Sequence, residues 1–125
     1  MSRLFQLIIV LMTIFNVFAA GTLRAQTPYT SGNLVVLRVG DGTASLTSAS
    51  TALYLDEITP AGTLVQNHPV PTAGVNVLTN SGSASSEGQI TRSPDGSYLI
   101  LAGYNSVPGV ASIVGTASGS VNRKL

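Results

Sequence analysis

Cysteine and tryptophan are absent from this sequence of 125 residues, and histidine occurs once, at position 68. Without cysteine no disulfide can form, which argues against the stapled scaffolds of small extracellular toxins and growth factors. The Asn-x-Ser/Thr pattern of N-glycosylation is also missing. The fold must therefore be stabilised by packing, without disulfides.

Charged residues are scarce as well, at 9% of the chain, with six basic and five acidic side chains. Two of the basic residues, Arg3 and Arg24, lie in an N-terminal segment that we expect to be removed, which leaves four basic against five acidic residues. No basic patch then remains that could follow a phosphate backbone, and aromatic residues are too few for base stacking. Nucleic acid is therefore not an expected partner.

Residues 1–25 have the pattern of a secretory signal peptide. Arg3 supplies the positive start, an apolar run covers 4–20, and Ala19 and Ala25 both end acceptable cleavage sites. The alternative is an uncleaved membrane anchor, although the run is shorter than the roughly 20 residues that cross a bilayer. We expect a signal-peptide helix at 1–25, a short linker at 26–32, and secretion or display at the cell surface, with membrane contact only through the export signal.

After the signal, β-prone runs alternate with segments rich in Gly, Ala, Ser and Thr, and no window has apolar residues at helical spacing. The runs predict an all-β fold with strands at 33–39, 53–58, 63–70, 88–92 and 98–103. Pro60 with Gly62, and Pro94 with Gly96, predict two tight turns that pair their flanking strands antiparallel. The serine-rich segments between strands are interpreted as loop or linker material.

Alternation along these strands predicts how deeply each is buried. Strands 33–39 and 98–103 carry apolar residues on both faces and are expected to be covered above and below. Strand 63–70 has mixed faces, which predicts an outer strand near water. Inner strands with two buried faces beside a half-solvated outer strand are typical of a β-propeller blade.

A weak internal repeat agrees with this interpretation. Residues 33–37 match 97–101, and 42–46 match 109–113 at a slightly larger shift, which also places 121–125 over 54–58. We therefore expect 33–125 to form one to two blades of a propeller-like domain that is incomplete at its C-terminal end. Downstream repeats of the same intact protein would supply the neighbouring blades.

The stretch GQITRSPDGSYLILAGY, at 88–104, resembles the strand-turn-strand element of many propeller repeats. Over 32–123, which includes NLVVLRVGDGTASLTSASTALYLDEITPAGTLVQNHPVP, the sequence resembles the N-terminal part of exported bacterial β-propeller-like repeat proteins of largely unassigned function. The resemblance implies export and a propeller-like fold. It brings no catalytic motif with it.

The acidic residues are interpreted as structural. Asp56 and Glu57 are adjacent in a strand and point to opposite faces, so we expect solvated strand charges and not an acid–base pair. Asp41 lies in GDG without the further acidic ligands of a calcium loop, which favours a glycine turn. Asp95 is expected to accept hydrogen bonds from backbone amides of its own turn.

His68 is expected to be exposed at a strand end, because it has neither cysteine nor clustered carboxylates with which to bind zinc, and no Gly-x-Ser-x-Gly motif accompanies it. Glu87 and Arg92 flank a strand, and we hypothesise that they face the axial channel of a complete propeller, where a ligand would bind. No residue is assigned as catalytic, cofactor-binding or metal-ligating, and no cofactor is expected.

The resulting functional hypothesis is a non-catalytic, exported propeller-like segment that binds an unidentified ligand or surface partner, or acts as a scaffold. The alternative is the N-terminal fragment of an exported enzyme whose active site lies in downstream repeats or domains. An adhesin-like β-solenoid would require a shorter, regular repeat with matching side-chain ladders, which the sequence lacks. Uncovered apolar faces at Val35, Leu37, Leu99 and Leu101 are expected to promote association.

Overall fold

The computed structural model describes residues 27–125, and the signal peptide predicted at 1–25 lies outside the described residues. The described chain is all-β, with short strands and a single turn of 3₁₀ helix. The strands are β1 (Leu34–Val39), β2 (Ser50–Thr51), β3 (Leu53–Ile58), β4 (Leu64–Pro69), β5 (Asn80–Ser81), β6 (Ile90–Arg92), β7 (Leu99–Leu101), β8 (Gly103–Tyr104) and β9 (Arg123–Lys124), and the 3₁₀ turn is Ile113–Gly115. Within this range no helix has the length and apolar character to span a membrane.

The strands form small antiparallel sheets. The largest has the order β1-β3-β4, with β3 in the middle, and the three others pair β2 with β5, β6 with β7, and β8 with β9. The predicted all-β class and the positions of β1, β3, β4, β6 and β7 are therefore confirmed. The predicted strand 98–103 is divided, because β7 pairs with β6 whereas β8 pairs with β9.

Both predicted hairpins are present. In the β3–β4 turn the Gly62 amide donates to the Thr59 carbonyl at 2.8 Å, and in the β6–β7 turn the Gly96 amide donates to the Ser93 carbonyl at 2.9 Å. The two glycines have φ of +86° and +76°. A side chain is strained in this left-handed region, so glycine closes each turn at little cost.

The expected burial of β1 and β7 on both faces is wrong for the described residues. Leu34 and Val36 of β1 are 58% and 44% exposed, and Ile100 of β7 is 39% exposed. Leu34 and Val36 are two residues apart and lie on the same face of β1, so this face is open. Since β1 and β4 both pair with β3, β1 also lies at an edge of its sheet. The prediction that β4 is an outer strand near water is confirmed.

The core is small and contains many polar residues. Its buried apolar side chains are Leu53, Val77, Leu78, Tyr104 and Ile113, and its buried small polar side chains are Ser50, Thr79, Asn80, Ser81 and Ser106. Ser50 shows how such a residue is accommodated, because its hydroxyl donates to the Val107 carbonyl at 2.7 Å and accepts from the Val110 amide at 2.8 Å. The serine-rich segments thus contribute to the core, which corrects their interpretation as loops or linkers only.

Candidate functional site

The Glu57 side chain is buried, and the prediction that it is a solvated strand charge is wrong. Its side chain is fully buried, and its carboxylate accepts hydrogen bonds from the Thr30 amide at 2.8 Å, from Asn33 Nδ2 at 2.6 Å and from Gln66 Nε2. Burial raises the pKa of the Glu57 carboxyl, but these hydrogen bonds more than offset that effect and lower the pKa to about 2. The ionised carboxylate therefore joins the described part of the predicted linker to β3 and β4.

Asp56 is also buried, on the opposite face of the sheet. Arg38 Nε donates to one carboxylate oxygen at 2.7 Å, and Asn67 Nδ2 donates to the other. The hydrogen bond from Arg38 is the main cause of a lowered pKa of Asp56. The guanidinium carbon of Arg38 lies 4.5 Å from the centre of the Tyr54 ring. The opposite orientation predicted for the two carboxylates is confirmed, whereas their predicted solvation is wrong because neighbouring strands cover both.

The other two aspartates accept hydrogen bonds within the turns in which they lie. Asp95 accepts from Ser93 Oγ at 2.6 Å and from the Ser97 amide at 3.1 Å, which confirms its predicted role. Asp41 accepts from the amide and the hydroxyl of Thr43, at 2.9 and 2.8 Å. These hydrogen bonds lower the pKa of both carboxyls, because they stabilise the charged form.

His68 is half-buried, and its expected exposure is wrong. The ring of Tyr29 meets it edge-on, with centroids 5.0 Å apart and planes inclined by 82°. His68 Nε2 and the Tyr29 hydroxyl are buried without a hydrogen-bond partner in the described chain. The prediction failed because the residue that covers His68, Tyr29, belongs to the segment before β1. The sequence around position 68 does not indicate this contact.

Glu87 lies at a cleft, and each of its carboxylate oxygens accepts a hydrogen bond. One oxygen accepts from the Tyr104 hydroxyl at 2.6 Å, and the other accepts from the Ser81 amide at 2.8 Å. Burial is the main cause of a raised pKa of Tyr104, and the adjacent Glu87 raises it further. The guanidinium of Arg123 lies 4.7 Å from the centre of the Tyr104 ring. Glu87 thus fixes a buried tyrosine beneath an arginine.

We call this region the Tyr104 cleft. It encloses about 620 Å³, and the lining residues that matter below are Asn80, Gly88, Gln89, Tyr104, Arg123 and Lys124. Arg92 does not reach it, because its Nε donates to the Gly96 carbonyl at 3.2 Å within the β6–β7 hairpin. Arg92 instead lines a separate groove of about 770 Å³ between β1 and that hairpin. The two residues hypothesised to share a channel are therefore not brought together.

The cleft floor depends on close packing between three segments. In the amide orientation that satisfies both of its polar atoms, the Asn80 nitrogen donates to the carbonyls of Thr79 at 2.8 Å and Ala102 at 3.2 Å, and its oxygen accepts from the Gly88 amide at 3.2 Å. A Cβ atom at Gly103 would lie 2.6 Å from this side-chain amide and 2.7 Å from the Thr79 carbonyl oxygen. Only glycine fits there without displacing the floor.

Sequence reasoning missed Asn80, Gly103, Tyr104 and Arg123 as a group. Tyr104 stands within the propeller-like stretch at 88–104, but nothing near it in sequence points to Asn80 or Arg123. The pairing of β8 with β9 and the bridge between Thr79 and Tyr104 bring these residues together. Both contacts join segments that are distant along the chain.

The cleft combines a mainly apolar lining with cationic groups at its wall. Arg123 is fixed over Tyr104 because its two terminal nitrogens donate to the carbonyls of Val121 at 2.7 Å and Thr116 at 2.9 Å. Lys124 adds an ammonium group, which donates to the Val75 carbonyl. Across residues 27–125, no three His, Cys, Asp or Glu side chains are grouped so that they could hold a metal ion.

The described residues define an all-β protein of small antiparallel sheets with an open, mainly apolar cleft that two cationic side chains line. No protein-family model, curated protein or solved structure matches the chain. The resemblance to exported bacterial propeller-like proteins therefore stays a prediction.

Proposed function

We propose that residues 33–125 are part of an exported propeller-like domain that binds a ligand or surface partner, or acts as a scaffold, without catalysis. The observation that carries this proposal is the open apolar surface of the sheets. Leu34 and Val36 of β1 are about half exposed, and Ile100 of β7 is 39% exposed. Contiguous apolar sheet faces are usually covered, and in a propeller the adjacent blades cover them.

The placement of the strands supports the propeller-like repeat. Segments 33–37 and 97–101, which match in sequence, contain β1 and β7, whereas 42–46 and 109–113 contain no strand in either copy. Segments 54–58 and 121–125 each contain a strand as well, although β3 pairs with β1 of the first copy whereas β9 pairs with β8 and not with β7. Downstream repeats would cover the open faces.

The Tyr104 cleft is the proposed ligand site. Arg123 and Lys124 supply cationic groups at its wall, and Gln89 supplies an amide. Glu87 holds the floor in place, because both of its oxygens already accept hydrogen bonds.

Export can be tested with the precursor in a bacterial host. We expect a shortened chain outside the cytoplasm that begins at Ala20 or Gln26, the residues that follow the two predicted cleavage sites. Retention of the uncleaved chain in the membrane would support the anchor alternative and contradict secretion.

The coding sequence downstream of Leu125 separates the functional alternatives, because further repeats favour the binding or scaffold role and a catalytic constellation favours the enzyme.

Ligand binding can be tested by screening the exported chain on glycan and peptide arrays. Any ligand found is then measured against the variants Arg123→Ala and Arg92→Ala. Loss of a charged hydrogen-bond donor from the cleft should weaken binding about tenfold or more. The Arg92→Ala variant is the matched control, because Arg92 lies outside the cleft. Equal affinities of the two variants would remove the cleft as the binding site.

A further inference from the structure

Strand β1 has an open edge with a full set of unpaired backbone groups. The Gly40 amide donates to the Ala52 carbonyl at 2.8 Å, which continues the ladder between β1 and β3. Because backbone direction alternates along a strand, even-numbered residues of β1 bond to β3, and Val35, Leu37 and Val39 direct their N–H and C=O groups outward. Within residues 27–125 these outward groups make no hydrogen bond.

The opposite edge of the same sheet is protected. The Val70 amide donates to the Leu53 carbonyl at 2.9 Å, so Asn67 and Pro69 are the residues of β4 that face outward. Pro69 has no N–H to offer, and a register shift interrupts the β3–β4 ladder between Glu57 and Ile58. Proline, polar residues and bulges are the usual protections of edge strands, and β1 has neither a proline nor a bulge.

We propose that β1 pairs antiparallel with β1 of a second copy of the chain, about a two-fold axis through Leu37, to form a continuous six-stranded sheet. This register places Leu37 opposite its own copy, Val35 opposite Val39, and Val36 opposite Arg38. All outward backbone groups of Val35, Leu37 and Val39 are then paired. An axis through Val36 would leave the outward groups of Val39 without a partner in the facing strand, so the Leu37 register is favoured.

The sequence of β1 is best matched at its open edge by a second copy of the same strand. The sequence LVVLRV is apolar except for Arg38, and in this register the two arginines face valines and not each other. The charge of Arg38 is already paired with Asp56 on the same face. Since the β4 edge is protected, the pairing closes after two copies and does not extend into a fibre. The inference depends on β1 alone and not on the proposed ligand.

The oligomeric state of the exported chain tests this proposal. Light scattering coupled to size exclusion should find a dimer that dissociates on dilution. The variant Val36→Lys places a lysine opposite Arg38 at two symmetric positions, which should raise the dimer dissociation constant by about tenfold or more. Val65→Lys is the matched control, because Val65 is a strand valine of similar exposure, 48% against 44%, that lies in β4. Equal effects of both variants, or a wild-type chain that is monomeric at every concentration, would overturn the proposal.

Cysteine crosslinking keeps the proposal testable if the lysine variant does not fold. The chain has no cysteine, so Leu37→Cys introduces a unique thiol, which in the proposed dimer faces its own copy at about 5 Å between Cβ atoms. A mild oxidant or a short thiol-to-thiol reagent should give a covalent dimer, whereas Val65→Cys should give none. Equal crosslinking at both positions, or a disulfide from position 37 to a different exported protein, would exclude the second copy as the partner.

Discussion

Substitution of Gly103 by alanine should destabilise this protein, whereas the same substitution at Gly119 should not. Gly103 lies under the Tyr104 cleft, where an added Cβ would be 2.6 Å from the Asn80 side-chain amide and 2.7 Å from the Thr79 carbonyl oxygen. Gly119 has no atom within 4 Å of the corresponding position and does not have positive φ. Both variants therefore add one methyl group, at a closely packed site in Gly103→Ala and at an open site in Gly119→Ala.

The expected magnitudes differ in sign. Alanine at a compatible site stabilises by about 0.4–1 kcal/mol, because it restricts the unfolded chain. Overpacking costs about 1–3 kcal/mol, since backbone or side chains must move. The Thr79 carbonyl accepts from the Tyr104 amide, so the floor cannot move without weakening the bridge to β8. Gly103→Ala should thus lose about 1–2 kcal/mol net, and Gly119→Ala should gain up to about 1 kcal/mol.

Urea unfolding followed by circular dichroism can measure both values. With a slope of about 1–3 kcal/mol per molar urea, the loss at Gly103 should lower the midpoint by about 0.3–2 M. The Gly119 midpoint should stay or rise. If the two midpoints move in the same direction by the same amount, the close approach at Gly103 is not a determinant of stability.

Two further predictions concern the core and the buried carboxylates. Leu53→Ala should lower the free energy of unfolding by about 2–5 kcal/mol, because Leu53 is fully buried in the central strand. Leu34→Ala, at an exposed site, should lower it by less than about 1 kcal/mol. Similar unfolding midpoints of the two variants would contradict the assigned core. The pKa of Glu57 is about 2 in the folded chain against an ordinary 4.5, so its carboxylate should contribute its full stabilisation above pH 4.5. This contribution should decrease as the pH falls toward 2. Asp56, whose pKa is also lowered, should act in the same direction, and Glu57→Gln should reduce the loss over this window in unfolding measurements at a series of pH values.

Local sequence was enough to predict the elements whose geometry is local. The turns at Gly62 and Gly96 involve hydrogen bonds between residues three apart, and the β-prone runs of β1, β3 and β4 are contiguous. Asp95 was predicted correctly for the same reason, since it bonds residues two positions away on either side. The sheet order, which makes β1 an edge strand, lay beyond this kind of inference.

The amino-acid sequence by itself thus determined the all-β character, the hairpins and the turn role of Asp95. The tertiary structure alone decided that Glu57 is buried, that Tyr29 covers His68, and that Gly103 underlies a cleft while Gly119 does not. These properties depend on contacts between segments far apart in the chain, and composition and periodicity describe only what each segment could bury. Which face is covered is settled when distant strands pair.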